Sequence, residues 1–524
     1  MNKNKLILLF YTVKYLKPIQ VYFRLFYVLR RIYRKYTSFI YPLSKVSKAY
    51  LLTLDKSIPS LNIYTKKTFT FLHLSKTFED KIDWNYMENG KLWTYNLTYF
   101  DYLNQKPMIK EQGIALICDF IEQSKYIKDG FEPFPVSLRG INWIKFLSEK
   151  EIINRQINDS LYAQYYILMD NIEYHLLGNH LLENGFSLLF GAYYFHDEKF
   201  YLKARNILTE ELNEQILNDG AHFELSPMYH QIMLFRVLDC INLLQNNNWK
   251  EDELLAFLIS KARVMLGWLS NITYEHGCIP LFNDSTNSIA PTTSDLNEYA
   301  NRLKIEIKKL NLLESGYRKI NKDRYEMILD VGAVGPDYIP GHAHSDTFNF
   351  ELYIDGKPFI VDTGLSTYET NEWRTLERST VSHNTVKIDG LEQSEVWGGF
   401  RVARRAKIIY LDETKNEIVA THDGYKRIGA LHTRKFTTKP DNIMIEDSIK
   451  STSMHECQAY LHFYPGIEPI INKSLIIVDN ICIRIENATI IMENYSYASG
   501  FNNLQDAKMV ILSFKNTLKV SIEL

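Results

Sequence analysis

Residues 341–346 read Gly-His-Ala-His-Ser-Asp, and residues 348–354 read Phe-Asn-Phe-Glu-Leu-Tyr-Ile. The second stretch alternates, turns at Asp355-Gly356 and returns at residues 359–361, which predicts a β-hairpin. The chain before this point has helical periodicity, so the two stretches mark a junction between two kinds of domain. Imidazoles are costly to bury and titrate near neutral pH, and their crowding here therefore indicates chemistry at the junction.

Upstream of the junction, residues 100–310 carry apolar side chains at three- and four-residue steps, as amphipathic helices do. The periodic segments are 114–121, 162–177, 185–195, 201–216, 233–244 and 254–272. Successive antiparallel helix pairs predict a bundle, solenoid or toroid, and no fixed-period repeat identifies a solenoid.

Downstream of residue 325, short segments with β-alternation are separated by turns, which is typical of an antiparallel β-sandwich. These segments are 386–390, 406–411, 418–421, 443–445, 475–478, 481–485 and 509–514. The segment 284–325, rich in Ser, Thr and Pro, is predicted to hold the connection between the two halves. A chain of 524 residues is too long for one core, so two or three domains are expected.

Composition excludes some functions and favours others. The net charge of −2 provides no basic field that would attract nucleic acid. The five cysteines are odd in number and have no CxxC spacing, which argues against a disulfide framework or a cysteine zinc site. The 35 tyrosines favour a carbohydrate ligand, because a tyrosine combines a flat apolar face with a hydroxyl.

Residues 1–50 form a basic, aromatic N-terminal segment. The apolar run at 6–13 is too short to span a bilayer, and Lys and Pro residues at 14–18 follow it instead of a small-residue cleavage site. One interpretation is peripheral contact with a membrane or partner through residues 5–36. The other is a first helix that packs on the protein body and leaves its arginines in solvent.

Two groups of residues in the helical region have chemical potential. His180 and Glu183 are three residues apart, so a helix would present them on one face beside Asn179; alternatively, Asn179 is a helix N-cap and Glu183 a surface residue. Ser226-Pro227 predicts a helix start that places Tyr229 and His230 in the first turn, or simply a capped helix with a core tyrosine.

A third group combines His342 and His344 with Asp362 and His383. Two histidines at i and i+2 on a strand point to the same side, and zinc accepts imidazoles with a carboxylate as third ligand. The alternative is a set of histidines satisfied by hydrogen bonds in a loop.

A fourth group is a proline-anchored loop at 134–143. It could present Arg139 to a sugar carboxylate and Trp143 to a sugar ring, with Asn142 between them. The alternative is a buried tryptophan with the arginine in a salt bridge.

Taken in this order, these segments resemble the heparinase II/III family of polysaccharide lyases, which includes related alginate lyases. The matching stretches are 92–97, 133–143, 178–184, 219–231 and 341–389, and they cover most of residues 84–400. The resemblance implies an α+β multidomain protein: an incomplete (α/α) toroid over residues 51–315, then an antiparallel β-sandwich over 325–524. It also implies an active site in the cleft between them.

The resemblance assigns roles to particular residues. It implies that Asn179 and His180 face the substrate uronate and that Tyr229 and His342 handle protons. The expected substrate-binding residues are Glu183, Arg139, Asn142, Trp143 and His230. His344, Asp362 and His383 are expected to form the structural zinc site that some relatives carry, and no organic cofactor is implied.

The expected reaction removes the C5 proton of a uronic acid and expels the oxygen at C4. Amide and imidazole donors would neutralise the carboxylate in the manner of an oxyanion hole. Tyr229 and His342 would serve as bases on opposite faces of the sugar ring. A tyrosine base needs a lowered pKa, which His180, His230 or a cation could supply.

Other functions remain open at this stage. They are a metal-dependent hydrolase built on the His-Ala-His motif, an inverting glycosidase using Glu183 and Glu224, and a non-catalytic glycan-binding protein in surface-polysaccharide assembly. The secreted members of the family begin with a clear signal peptide, and this chain does not. A bacterial capsule or exopolysaccharide is therefore expected as substrate alongside glycosaminoglycans, with the cell envelope or periplasm favoured over the cytoplasm.

Overall fold

The computed structural model describes residues 3–41, 48–251 and 253–524, so residues 1–2 and 42–47 of the predicted N-terminal segment lie outside it. Helices dominate up to residue 302. They are α1 (Lys3–Val13), α2 (Pro18–Tyr36), α3 (Lys91–Tyr99), α4 (Lys110–Gln123), α5 (Pro133–Glu149), α6 (Arg155–Asp170), α7 (Gly178–Phe195), α8 (Glu198–Gln215), α9 (Pro227–Asn246), α10 (Leu254–Ile272), α11 (Thr293–Arg302) and the later α12 (Glu372–Glu377).

Strands dominate after the last of the toroid helices, and a small sheet precedes them. The early strands are β1 (Ile63–Thr65), β2 (Thr68–Phe71) and β3 (Leu74–Thr77). The later ones are β4 (Tyr317–Lys322), β5 (Tyr325–Asp330), β6 (Phe350–Ile354), β7 (Lys357–Ile360), β8 (Val386–Ile388), β9 (Val396–Trp397), β10 (Arg401–Val402), β11 (Ile408–Glu413), β12 (Glu417–His422), β13 (Leu431–Lys439), β14 (Asn442–Lys450), β15 (Cys457–His462), β16 (Ile470–Asn472), β17 (Leu475–Val478), β18 (Ile481–Glu486), β19 (Thr489–Gly500), β20 (Asn503–Phe514) and β21 (Thr517–Glu523).

The helical region is an (α/α) toroid, and α7 is a buried inner helix of it. This helix packs against α5, α8 and α9, and it is buried almost along its whole length, which explains why its sequence is apolar on every side. Helix α10 is long and apolar enough to cross a membrane by length and composition. It packs against α9 and buries Leu254, Leu258 and Ala262 on one face and all of residues 265–269, as a core helix does.

The C-terminal region is an antiparallel β-sandwich. An eight-stranded sheet has the order β11-β12-β13-β14-β21-β18-β17-β16, and two four-stranded sheets have the orders β19-β20-β15-β8 and β4-β5-β6-β7. Side chains from all three sheets share one apolar core. Burial alternates along β13 and β14 because one face of each strand meets that core. The predicted fold class is therefore confirmed.

Two local predictions differ from the structure. Residues 134–143 are not a loop but most of α5, because prolines within the first turn of a helix need no hydrogen bond from their nitrogen. The predicted connection 284–325 contains α11, which a Thr292–Asp295 capping box starts. The last toroid helix thus ends at Arg302 and the first sandwich strand begins at Tyr317.

Candidate active site

The candidate site lies where the starts of α7 and α9 meet the loop after β5. Each of the two helices follows a leucine in the left-handed region, Leu177 with φ 67° and Leu225 with φ 56°. Such strained residues concentrate at functional sites. In α9, Ser226 caps the helix by accepting a hydrogen bond from the Tyr229 backbone N–H at 3.2 Å. The predicted helix start is confirmed, and it fixes Tyr229 in the first turn.

The Asn179 side chain is held by a buried carboxylate. Glu224 accepts hydrogen bonds from the Asn179 backbone N–H at 3.1 Å and from its Nδ2 at 2.9 Å. The same Nδ2 lies 3.2 Å from Nε2 of His342. Gly178 lets the Glu224 carboxylate come this close to the start of α7. Its φ is +59°, and an added Cβ would lie 2.7 Å from Oε1 of Glu224. Asn179 is therefore a positioned amide donor and not a helix N-cap.

The His342 ring is oriented by Asp284, which is fully buried. Oδ2 of Asp284 lies 2.8 Å from His342 Nδ1 and 2.7 Å from Nη2 of Arg374. Burial alone would raise the pKa of Asp284, but Arg374 and the hydrogen bonds from His342 and His344 hold it well below its usual value. A carboxylate at this position fixes the proton of His342 on Nδ1 and leaves the Nε2 lone pair toward Asn179.

Tyr229 lies directly against His342, with their ring centroids 3.9 Å apart. The Tyr368 hydroxyl donates a hydrogen bond to the Tyr229 oxygen at 3.2 Å. Burial raises the pKa of Tyr229 well above its usual value, and the bond from Tyr368 only partly offsets this effect. The expectation of a lowered tyrosine pKa is wrong. Burial outweighs the lowering effect of the Tyr368 hydrogen bond and of the nearby Arg374 cation, and neither His180 nor His230 contributes. A raised pKa favours the neutral phenol, which can donate a proton.

His180 stands at the exposed edge of the site with about a third of its side chain (36%) open to solvent. Its Nδ1 lies 3.0 Å from Oε1 of Glu173, whose other oxygen accepts a hydrogen bond from Asn184 at 2.9 Å. Burial opposes the charged ring, but the Glu173 carboxylate outweighs it and raises the pKa of His180. The Phe134 ring packs 4.7 Å away. His180 is thus suited to carry positive charge beside Asn179.

Five predicted substrate-binding residues are not placed on a surface that a sugar could reach. Glu183 is fully buried and accepts a hydrogen bond from Nε of Arg236 at 3.1 Å. It is neither a surface residue nor a substrate contact. His230 is buried as well: its Nδ1 accepts the backbone N–H of His222 at 3.1 Å, and burial lowers its pKa to about 3. Both predictions are corrected, since each side chain is occupied by protein partners.

The other three residues lie inside α5. Arg139 is fully buried and donates to the Gln164 side chain and to the backbone carbonyls of Thr98 and Gly130, at 2.7–2.9 Å. Asn142 donates to a backbone carbonyl at 2.9 Å. Trp143 is fully buried among aromatic rings. The substrate-binding prediction is wrong for all three, because the segment is a core helix and not a surface loop.

The predicted metal ligands are also buried. His344 lies 2.8 Å through Nε2 from Asp284, and His383 lies 2.7 Å through Nδ1 from Asp362. The remaining ring nitrogen of each histidine has no hydrogen-bond partner. One carboxylate oxygen of Asp346 also has no partner. Within residues 3–41, 48–251 and 253–524, no group of three or more His, Cys, Asp or Glu side chains has metal-site spacing.

Sequence reasoning missed the residues that support the site. Asp284 and Arg374 are 90 residues apart, and Asp284 and His342 are 58 apart. No local spacing predicts such contacts. Tyr368 is likewise 139 residues from Tyr229. Glu224 lies within the matching stretch 219–231, but only the three-dimensional structure pairs it with Asn179.

Comparison with known proteins gives consistent matches over the toroid and the sandwich. Residues 142–305 match the family model for the heparinase II/III N-terminus, and residues 308–521 match that for the heparinase II/III-like C-terminal domain. Heparin-sulfate lyase from Bacteroides stercoris is 25% identical over 256 residues, which are 42% of this chain and 37% of the relative. That from Bacteroides thetaiotaomicron is 23% identical over 295 residues, 48% of this chain and 41% of the relative.

Solved structures show the same fold. Heparinase III aligns with a TM-score of 0.68 and 18% identity, over 85% of this chain and 80% of that one. Heparan sulfate lyase HepC from Pedobacter heparinus aligns with a TM-score of 0.54 and 17% identity, over 86% and 79% of the two chains. The sequence alignments span only 37–41% of the length of these Bacteroides relatives.

Proposed function

Because the chain belongs to the heparinase II/III-like family, we propose that it is a polysaccharide lyase. It would cleave a uronate-containing acidic polysaccharide by β-elimination and leave a C4–C5 unsaturated end. One observation carries the proposal: Asn179 and Tyr229, from two distant segments, both contact His342 from a third segment at the domain junction.

The first requirement is to neutralise the uronate carboxylate. The C5 proton is weakly acidic because it sits beside a carboxylate that is already negative. Asn179 supplies an amide donor. His180 supplies an imidazole whose pKa the Glu173 carboxylate raises, which favours its charged form. In other enzymes, removing one such donor costs about 3–4 kcal/mol of transition-state stabilisation.

Substrate binding would also free the base. Without substrate, one Asn179 N–H is used by Glu224 and the other is directed at His342 Nε2. A carboxylate that accepts this second N–H would release the Nε2 lone pair beside the C5 proton. Deprotonation is then coupled to the correct placement of the uronate.

His342 Nε2 would take the C5 proton, and the Tyr229 hydroxyl would protonate the departing O4. The C5–H and C4–O bonds break as the C4–C5 double bond forms, and no water is consumed. Because the two rings touch at a centroid distance of 3.9 Å, no sugar fits between them. This contact supports action from one side of the sugar ring, as in a syn elimination, instead of the expected action from opposite faces.

Phe400 offers a surface for the sugar itself. Its ring is 44% exposed and lies 5.4 Å from Tyr368 and 6.3 Å from His342, centroid to centroid. A flat apolar ring at this position suits packing against a pyranose.

A structural zinc is a separate part of the proposal. His344 and His383 each have a buried ring nitrogen without a partner, as zinc ligands would, and their centroids lie 5.3 Å apart. Asp362 orients His383, while the unpartnered oxygen belongs to Asp346. When bound, the ion would crosslink the loop at residues 344–346 to the segment that carries His383.

The alternatives have weaker support. The ligands His344 and His383 are fully buried, whereas a catalytic metal keeps a position open to water or substrate, which disfavours a hydrolase. An inverting glycosidase needs two free carboxylates across the substrate, but Glu183 and Glu224 are buried and bonded to Arg236 and Asn179.

The test is incubation with a panel of uronate polymers, including heparan sulfate, alginate and bacterial capsular polysaccharides. A lyase produces near-ultraviolet absorbance from the new double bond, a hydrolase produces reducing ends without it, and a binding protein produces neither. Tyr229→Phe removes only a hydroxyl and should abolish the absorbance while the melting temperature is kept. Wild-type turnover in that variant would refute the proton-transfer role.

A further inference from the structure

The N-terminal helix α2 docks on the protein through its less apolar face. Gln20 is buried and its amide donates to the Leu176 carbonyl at 3.0 Å. Phe23 stacks on Tyr174 at 4.8 Å between centroids. Arg30 pairs with a toroid aspartate through Nη1 at 3.0 Å. These positions recur at three- and seven-residue steps, so they form one side of the helix.

The opposite side of α2 is apolar and open to solvent. Leu25, Leu29 and Tyr33 are 61%, 66% and 68% exposed. The other exposed members of this face are Val21, Tyr22, Phe26, Val28 and Ile32. Helix α1 adds further exposed apolar residues, among them Leu6, Phe10 and Val13. A surface helix normally turns its apolar stripe toward the core, so this reversed orientation indicates a partner.

Charge identifies the partner. Residues 1–54 contain eleven Lys and Arg residues and no Asp or Glu. Arg24, Arg31 and Lys35 lie along one edge of the apolar face, are exposed, and have no ion pair among the described residues. An apolar face bordered by cations matches an anionic lipid surface. Two copies packed face to face would bring their cationic edges together, which is unfavourable.

We propose that α1 and α2 form a docking surface for an anionic lipid bilayer. The 19 residues of α2 carry too many charges to cross the bilayer, so the helix would lie in the headgroup plane with Leu25 and Leu29 inserted. The surface is also fixed to the sandwich, because Trp397 donates to Thr12 of α1 at 3.1 Å. Docking would therefore hold both domains, and the site between them, in one orientation to the membrane.

Flotation with lipid vesicles tests the proposal on the full chain. We expect binding to phosphatidylcholine vesicles that contain phosphatidylglycerol, weaker binding as salt rises, and little binding to phosphatidylcholine alone. The combined variant Leu25→Ser, Leu29→Ser and Ile32→Ser should bind at least about a hundred-fold more weakly, because three inserted side chains are lost. All three are exposed, so the melting temperature should not fall.

A matched control removes three comparably exposed aliphatic side chains from the sandwich: Ile409→Ser, Leu411→Ser and Ile491→Ser. It should float like the wild type. A second variant, Arg24→Gln, Arg31→Gln and Lys35→Gln, should lose the preference for phosphatidylglycerol.

Two outcomes would overturn the proposal. The first is a wild-type chain that fails to float with the anionic vesicles; if sedimentation velocity then shows a dimer that the helix serine variant dissolves, the occupant is a second copy of the chain. The second is a helix serine variant that floats as well as the wild type.

Discussion

Replacing Asp284 with asparagine should impair turnover and stability together, because one carboxylate serves both. Asp284 is fully buried and holds His342, His344 and Arg374 at 2.5–2.8 Å. An asparagine has one acceptor oxygen and turns an N–H toward one of these partners. The guanidinium of Arg374 is then left buried without its counter-charge.

The size of both effects can be worked out from these contacts. Removing one partner of a buried ion pair costs about 3–5 kcal/mol, or on the order of 10 °C in melting temperature for a domain of about 200 residues. Losing the tautomer of His342 should lower kcat about a thousand-fold or more, as in other enzymes where a carboxylate orients the base.

The stability effect has a defined pH dependence. The pKa of Asp284 lies well below its usual value in the folded chain. Its contribution is therefore complete above the unfolded pKa of about 4 and is lost as pH falls further. Unfolding midpoints of the wild type and Asp284→Asn should differ most at neutral pH and converge in acid.

Asp447→Asn is the matched control. Asp447 is also fully buried and bonded to a histidine and an arginine, His432 and Arg434, at 2.7–2.9 Å, but it lies in the sandwich core. The melting temperature of this variant should fall by a similar amount. Its kcat should equal that of the wild type when both are assayed below the lowered melting temperature. Equal loss of turnover in both variants, or normal turnover in Asp284→Asn, would refute the orienting role.

Three further predictions concern the supports of the site. Gly178→Ala places a Cβ against Glu224 at positive φ and should cost about 1–2 kcal/mol of stability. Its kcat should also fall, because Asn179 shifts. Unchanged thermal unfolding would contradict this prediction. Glu173→Gln should lower the pKa of His180, so the alkaline limb of the kcat/KM pH profile should move to lower pH, and an unmoved limb would exclude a charged imidazole. Chelation should lower the melting temperature more than kcat if a zinc is structural; lost turnover at unchanged stability would favour a hydrolase.

The sequence predicted the architecture well because the architecture is periodic. Helices α8 and α10 and strands β17 and β18 fall on the predicted segments. Each is a regular element that buries one face, so its apolar residues recur at a fixed period. The failure at α5 has a physical cause: prolines at a helix start and prolines in a loop look alike in one dimension, and only the burial of Arg139 and Trp143 separates them.

The site was predicted in part. Motifs identified Asn179, Tyr229 and His342, which the structure brings into contact. Their supports were not visible, because Asp284 and Tyr368 reach them across long stretches of chain. The pKa of Tyr229 was misjudged for a related reason: burial dominates it, and burial depends on the whole fold.

The most direct test of the central claim is the mass of the products from a defined uronate oligosaccharide that the protein cleaves. Elimination predicts that each pair of fragments sums to the mass of the substrate, with an unsaturated uronate at the new non-reducing end and no such products from Tyr229→Phe. Fragments whose sum exceeds the substrate by one water would contradict elimination and remove the role proposed for Asn179, Tyr229 and His342.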